Sequence, residues 1–296
     1  MDLDGKVFVI TGAARGIGAA TAELAASRGA SVVVSDVLDD AGQATVGRIR
    51  QAGGQAAYAH CDVTVEADVE RLMAGAAEAF GGIDVLHNNA GIHEAMIGDD
   101  FRFETMPVSV FDRVLAVNLR GAFVCSQKAL PYLRASRRGP TIVNAGSTAT
   151  WVGYPYGLAY GTSKGGIALL TKNLAVALAP YGIRVNCYCP ASVDTDMVTE
   201  VTSALSAEPA TDQPASSNPA AAPDDAHLAA HLVRRIGAPA DVAELVCFLA
   251  SERSSFVNGV VWLIDGGVLA WRDTVDAIGL GGRPPDDRAV GAGGGG

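Results

Sequence analysis

An apolar run, KVFVITG, passes directly into a glycine-spaced loop, TGAARGIG, and then into a helical pattern, GAATAELAASRG. Few folds accommodate that order. A run with no polar alternation is buried on both faces, as in a parallel sheet covered by helices. Gly12, Gly16 and Gly18 stand between strand and helix. Glycine there permits a tight turn, a close backbone approach to a ligand and close helix–strand packing. The start of the helix also presents unpaired N–H groups to an anion. With a strand before it and a helix after it, this spacing points to a bound pyrophosphate.

The same alternation continues. SVVVSD reads as a strand, AGQATVGRIRQAGG as a helix and QAAYAHCDV as a strand. EADVERLMAGAAEAFG is helical and IDVLHNNAG is a strand. One long helix is expected through SVFDRVLAVNLRGAFVCSQKALPYL, then the strand PTIVNAGS, a helix from about Tyr160 to Pro180 and the strand IRVNCYCPA. Near the end PADVAELVCFLAS is helical and GVVWLIDGG is a strand. The pattern predicts an α/β fold: a doubly wound parallel sheet in a single domain over residues 1–270, with helices on both faces. Two segments break it. Thr202 to His227 is rich in Ala, Pro and Ser and too long for an ordinary loop, so it is either a mobile lid or disordered, within an insertion at about 198–232. The Gly- and Pro-rich residues 271–296 are expected to form a flexible tail.

The net charge of −10 argues against a nucleic-acid or anionic membrane partner. No apolar stretch is long enough to span a bilayer, and the first residues lack a signal-peptide pattern, so a cytoplasmic protein is expected. Cys61, Cys125, Cys187, Cys189 and Cys247 are expected as buried free thiols. Cys187 and Cys189 share a strand face, but no further ligands accompany them. His227 and His231 are four apart without an acid or a third ligand, and a solvated helix face bordering the lid is expected. No metal site is therefore expected. His87 is expected as a packed or rim residue.

Asp36 ends the second strand at the spacing of an acid that binds the adenosine ribose. A carboxylate there repels the extra phosphate of NADP, which favours NAD. Arg15 could pair with that phosphate, but it is expected to face solvent and weighs less than Asp36.

In YPYGLAYGTSKGG, Tyr160 and Lys164 are four apart and share a helix face. Tyr154 and Tyr156 have no cation one turn on. A phenol with a pKa near 10 is a poor base, and a neighbouring ammonium lowers that value.

At this point the chain resembles the classical short-chain dehydrogenase/reductase family, from Leu3 to about Gly267. The resemblance is carried by TGAARGIG (11–18), CDV (61–63), NNAG (88–91), NLRG (118–121), IVNAGS (142–147), YGTSK (160–164) and PASVDTDM (190–197), and then by RIGAPADVAELVCFLAS, SFVNG and IDGG. It implies a Rossmann fold with Tyr160 as general acid/base. Lys164 would lower the phenol's pKa and hold the nicotinamide ribose. Ser147 would hold the substrate oxygen, and Asn118 would position a water linking Lys164 to solvent. Cofactor contacts would come from Gly12, Arg15, Gly16, Ile17 and Gly18, from Asp36 and Val37 at the ribose, and from Asp62 and Val63 at the adenine. Asn89, Ala90 and Gly91 would support the cofactor and the sheet, and Pro190, Val193 and Thr195 would meet the nicotinamide and phosphate side. His93, Thr148, Tyr154 and Tyr156 would line the substrate pocket. Two departures stand out. Gly146 replaces the serine usual before Ser147, and Ala191 replaces the glycine usual after Pro190.

The activity implied is a reversible NAD-dependent oxidation of a hydrophobic or cyclic secondary alcohol to a ketone. Two alternatives remain. An NADPH-dependent ketoreductase of the 3-oxoacyl carrier protein type would suit a basic end to the second strand better than Asp36. A non-catalytic NAD-binding sensor or scaffold would lack a member of the tetrad, and all four are present. The resemblance also implies a homotetramer (or homodimer) assembled through helices around 109–135 and 160–180.

Overall fold

The computed structural model describes residues 2–98, 100–154, 156–207 and 231–270. Seven strands form the sheet: β1 (Val7–Thr11), β2 (Ser31–Asp36), β3 (Gln55–His60), β4 (Val85–Asn88), β5 (Thr141–Ala145), β6 (Arg184–Pro190) and β7 (Val261–Ile264). Every pairing is parallel and the order is β3-β2-β1-β4-β5-β6-β7. The order reverses between β1 and β4, which opens a crevice at their carboxyl ends.

Successive side chains of each strand go to opposite faces, and both faces are apolar. Val9, Val33, Leu86 and Ile142 join one core cluster, while Phe8, Ile10, Val32, Val34 and Val85 join the other. Helices α1 (Gly16–Ser27) and α2 (Asp39–Gln51) supply Ala22, Ala25, Val46 and Ile49 to the second cluster. Helix α3 (Glu66–Phe80) supplies Val69, Leu72 and Met73 to the first. The expected doubly wound architecture is therefore present.

The long helix expected after β4 is not uniform. Helix α4 (Val108–Leu115) runs into a π-helical turn (Ala116–Gly121) and resumes as α5 (Ala122–Ala135). Such turns are rare and frequent at functional sites, and this one contains Asn118. Helix α6 (Leu158–Leu178) matches the expected Tyr160 helix. Helix α7 (Asp196–Ala207) takes in the first residues of the expected insertion, Thr202–Ala207 included, and residues 208–230 lie outside the described ones. Helix α8 (Pro239–Ala250) precedes β7.

All five cysteines are free and buried, as expected. His231 is 4% exposed and outside any helix, which corrects the expectation of a solvated helix face; His227 and the tail at 271–296 lie outside the described residues. Among the described residues no helix is long and apolar enough to cross a membrane, and no group of three or more potential metal ligands forms.

Candidate active site

A cleft of about 340 Å³ lies over the carboxyl ends of the strands. Its floor is the glycine loop, shaped so that no side chain fits. Gly12 has φ 63°, and a Cβ there would lie 2.7 Å from Ala90 Cα. A Cβ on Gly18 would lie 2.3 Å from the Gly12 carbonyl oxygen. Asn89 fastens the loop to the sheet, its Nδ2 donating to the carbonyls of Thr11 (3.1 Å) and Gly12 (2.8 Å). Tyr188 Oη donates to Asn89 Oδ1 (3.2 Å) and lies 3.0 Å from His87 Nε2, which then carries the ring proton. His87 is fully buried, as a packed residue, and burial brings its pKa down to about 3, so the ring stays neutral.

Asp36 closes the far end of the cleft. Its Oδ2 accepts the Ala14 N–H (2.9 Å) and its Oδ1 those of Val37 (2.8 Å) and Leu38 (3.1 Å). Asp62 Oδ1 accepts from the Thr64 N–H and hydroxyl, and Arg113 stands 3.5 Å from Oδ2. Arg15 does not simply face solvent. Its Nη1 pairs with Asp196 (3.1 Å) and Glu200 (3.0 Å) on α7, across the rim. A loop with no room for a Cβ at Gly12 or Gly18, the N–H groups at the start of α1 and an acid at the end of β2 together fit a nicotinamide dinucleotide. Of the residues expected to hold it, all line the cleft except Gly18 and Val193. Gly18 acts by letting the loop pack. Val193 is buried in a core cluster with Val143, Tyr188 and Val246.

The four expected catalytic groups come from three elements. Ser147 follows β5, Asn118 sits in the π-helical turn, and Tyr160 and Lys164 lie on the first two turns of α6. Lys164 Nζ donates to the Ala145 carbonyl (2.8 Å) and lies 5.4 Å from the centroid of the Tyr160 ring. Burial brings the Lys164 pKa down to about 8. Burial pushes the Tyr160 phenol up to about 12, and a hydrogen bond with Ser147 works in the opposite direction without offsetting it. A cationic nicotinamide would act in the lowering direction.

Asn118 ties two segments together. Its Oδ1 accepts the Ile92 N–H (2.8 Å), and its Nδ2 donates to the Ile92 carbonyl (2.9 Å) and Ser163 Oγ (3.0 Å). Gly91 separates it from the lysine, since a Cβ there would meet Asn118 Oδ1 at 3.4 Å and Lys164 Nζ at 3.6 Å. The departure at Gly146 also has a cause. A Cβ at that position would lie 2.5 Å from Cys189 Sγ and 2.8 Å from Cys187 Sγ, so the two thiols occupy the space of a serine side chain.

A second cavity, of about 170 Å³, adjoins the first. His93, Ser147, Thr148, Tyr154, Tyr156 and Tyr160 line it, which brings together every residue expected in the substrate pocket. Thr148 Oγ1 and Tyr154 Oη are 3.0 Å apart, and Phe101 packs edge-on against Tyr156 at 5.6 Å. Helix α7 adds Met197, Val198, Val201 and Leu205, and the chain beyond the undescribed residues adds His231. Tyr160 lines both cavities. A group there can exchange a proton with a small molecule while that molecule touches the dinucleotide site.

One neighbour escaped the sequence reading. Glu94 is wholly buried beside Tyr160. Its only trace was an acid inside the otherwise weakly polar stretch GIHEAMIG.

Comparison with known proteins finds similar oxidoreductases. A family model described as enoyl-(acyl carrier protein) reductase matches residues 12–269. The cis-4-hydroxycyclohexanecarboxylate dehydrogenase of Sinomonas cyclohexanicum is 38% identical over 90% of this chain and 97% of its own. The crystal structure of levodione reductase superposes with a TM-score of 0.81 at 31% identity, covering 91% of this chain and 99% of that one. The 3-ketoacyl-(acyl-carrier-protein) reductase of Brucella melitensis, solved with NADH, gives 0.76 at 30% identity over 90% and 99%.

Proposed function

The chain belongs to the classical short-chain dehydrogenase/reductase family, and on that footing we propose that it oxidises a compact cyclic secondary alcohol to the ketone, reversibly, with NAD. The observation that carries this reading is the position of Tyr160, which lines both cavities. Ser147 orients the substrate hydroxyl. Tyr160 takes its proton, and Lys164 supplies the positive charge beside the phenolate. A nicotinamide held in the cleft would supply the acceptor for the hydride of the carbinol carbon. Asn118 holds the Gly91–Ile92 backbone against α6, which keeps the lysine close to the cleft.

Two observations support NAD. Asp36 occupies the ribose end with both oxygens engaged, and Arg15 is already paired with Asp196 and Glu200. Asp36→Ser should raise the ratio of kcat/KM for NADP over NAD by about 100-fold, because it removes a like-charge contact worth several kcal/mol. Initial rates with both cosubstrates measure this. An unchanged ratio would place the discrimination elsewhere.

A pocket of about 170 Å³ with Tyr, Thr, Met, Val and Leu walls suits an alicyclic ring better than a long acyl chain. The named activity of the Sinomonas relative, on a hydroxycyclohexane carboxylate, supports the same class. A panel of cyclic and linear secondary alcohols, with a 3-oxoacyl thioester and NADPH as the rival pair, tests the assignment. NADH should form from the cyclic alcohols. Turnover of the thioester pair alone would favour the ketoreductase reading.

Assembly as a homotetramer is part of this proposal. It is supported by exposed Phe123, Leu169 and Val176 on α5 and α6 and by exposed Trp262 and Leu263 on β7. A cytoplasmic location is supported by five free, buried thiols.

A further inference from the structure

We propose that Glu94 is a positioning residue that holds the general base in place by capping the catalytic helix from a distant loop. The inference rests on Tyr160 being that base. Helix α6 begins at Leu158, and its N-cap residue, Gly157, has no side chain with which to cap it. The N–H of Ala159 donates instead to Glu94 Oε1 (2.9 Å), and that of Tyr160 to Glu94 Oε2 (3.0 Å). The carboxylate comes from 65 residues earlier in the chain, on the one-turn helix Glu94–Met96 that follows β4. It is 0% exposed.

A buried carboxylate persists only where donors satisfy it, and two helix N–H groups at the positive end of the helix dipole do so. The consequence falls on one residue. Tyr160 sits in the first turn of α6, where N–H groups lack intrahelical partners and a helix frays most readily. Glu94 binds the backbone of the tyrosine itself. The adjacent His93 completes the clamp: its ring lies 5.0 Å from the Tyr160 ring, and its Nδ1 accepts the Ala95 N–H (3.2 Å) and stands 3.6 Å from Glu94 Oε2. The backbone and the ring of the base are therefore held by two consecutive residues of one loop.

The test compares Glu94→Ala, Glu94→Gln and the double variant Glu94→Ala/Gly157→Ser. Gln keeps one acceptor for the two N–H groups. The hydroxyl introduced by Gly157→Ser would supply a local cap, and the site admits it, since a Cβ on Gly157 meets Tyr154 Cβ at 3.4 Å and His93 Nε2 at 3.8 Å. Saturating kcat and the NAD dissociation constant are measured for each. The expected result is a fall in kcat of about 100-fold for Ala and about tenfold for Gln, since small misplacement of a reacting group costs that much. NAD affinity should change by less than about threefold, and Gly157→Ser should recover part of the kcat of the Ala variant. If the Ala variant does not fold, Glu94→Gln alone is judged by the same split. A kcat near wild type, a parallel loss of NAD affinity, or no recovery by Gly157→Ser would overturn the proposal. Tyr160→Phe, assayed alongside, separates the two ideas. If that variant turns over, the reading of the site fails; if it is inactive while the Glu94 variants are normal, only the capping role falls.

Discussion

Tyr160→Phe should bind NAD as the wild type does and lose kcat/KM by about 1,000-fold, within the range usual for removal of a general acid/base. The substitution deletes one hydroxyl and keeps the ring. The contact with His93 at 5.0 Å and the ammonium of Lys164 at 5.4 Å from the ring centroid both survive it. The cofactor cleft keeps its shape, so binding and turnover separate. In the wild type the direction of the pH dependence follows from the proton that Tyr160 carries. Oxidation needs the phenolate, so its rate rises with pH; ketone reduction needs the phenol, so its rate falls. Burial is the main cause that pushes the phenol up to about 12, and a bound nicotinamide would act in the lowering direction. The midpoint of the oxidation profile should therefore lie below that value. Calorimetric titration with NAD, together with initial rates in both directions across pH, checks all of this.

Lys164→Met should lower kcat by about 100-fold and weaken NAD binding, yet raise thermal stability. Met has similar length and no charge. The ammonium it replaces is 4% exposed, and burial brings its pKa from 10.5 down to about 8. At about 1.4 kcal/mol per tenfold change in proton affinity, burying that charge costs a few kcal/mol. The lost bond to the Ala145 carbonyl offsets about 1–3 kcal/mol of the gain. The sign with pH is definite. Between about 8 and 10.5 the unfolded chain holds more protons at this position than the folded one, so this group makes wild-type stability rise with pH. Below about 8 the cost is fully present. The stabilisation by Met should thus be largest below pH 8 and shrink above it. Calorimetric melting of both proteins across that pH range measures the difference. A Met variant that is less stable below pH 8 would mean that Lys164 contributes more through its hydrogen bond than its burial costs.

The fold was legible because its central strands are rich in apolar residues, and both faces of β1, β2 and β4 proved to be core. The glycine loop was legible for a steric reason: at Gly12 and Gly18 backbone atoms occupy the place of a Cβ. What escaped depends on contacts distant in sequence. The π-helical turn at Ala116–Gly121 adds little to a helical hydrophobic pattern, so α4 and α5 read as one helix. The start of α7 was hidden by the Ala, Pro and Ser content that follows it. The reason for Gly146 lies in two thiols on the neighbouring strand. The ion pairs of Arg15 cross to α7, and the cap on α6 comes from Glu94, a separation that no local motif records.

The central claim is that Tyr160 and the cofactor cleft act together on a secondary carbinol. Its most direct test uses a cyclic secondary alcohol carrying deuterium on the carbinol carbon, incubated with NAD and the wild-type protein. The account predicts equimolar ketone and reduced cofactor, with the deuterium recovered on the nicotinamide ring and none of it in water. NAD that binds yet yields no reduced cofactor from any secondary alcohol, and is not formed from NADH with any of the matching ketones, would contradict it.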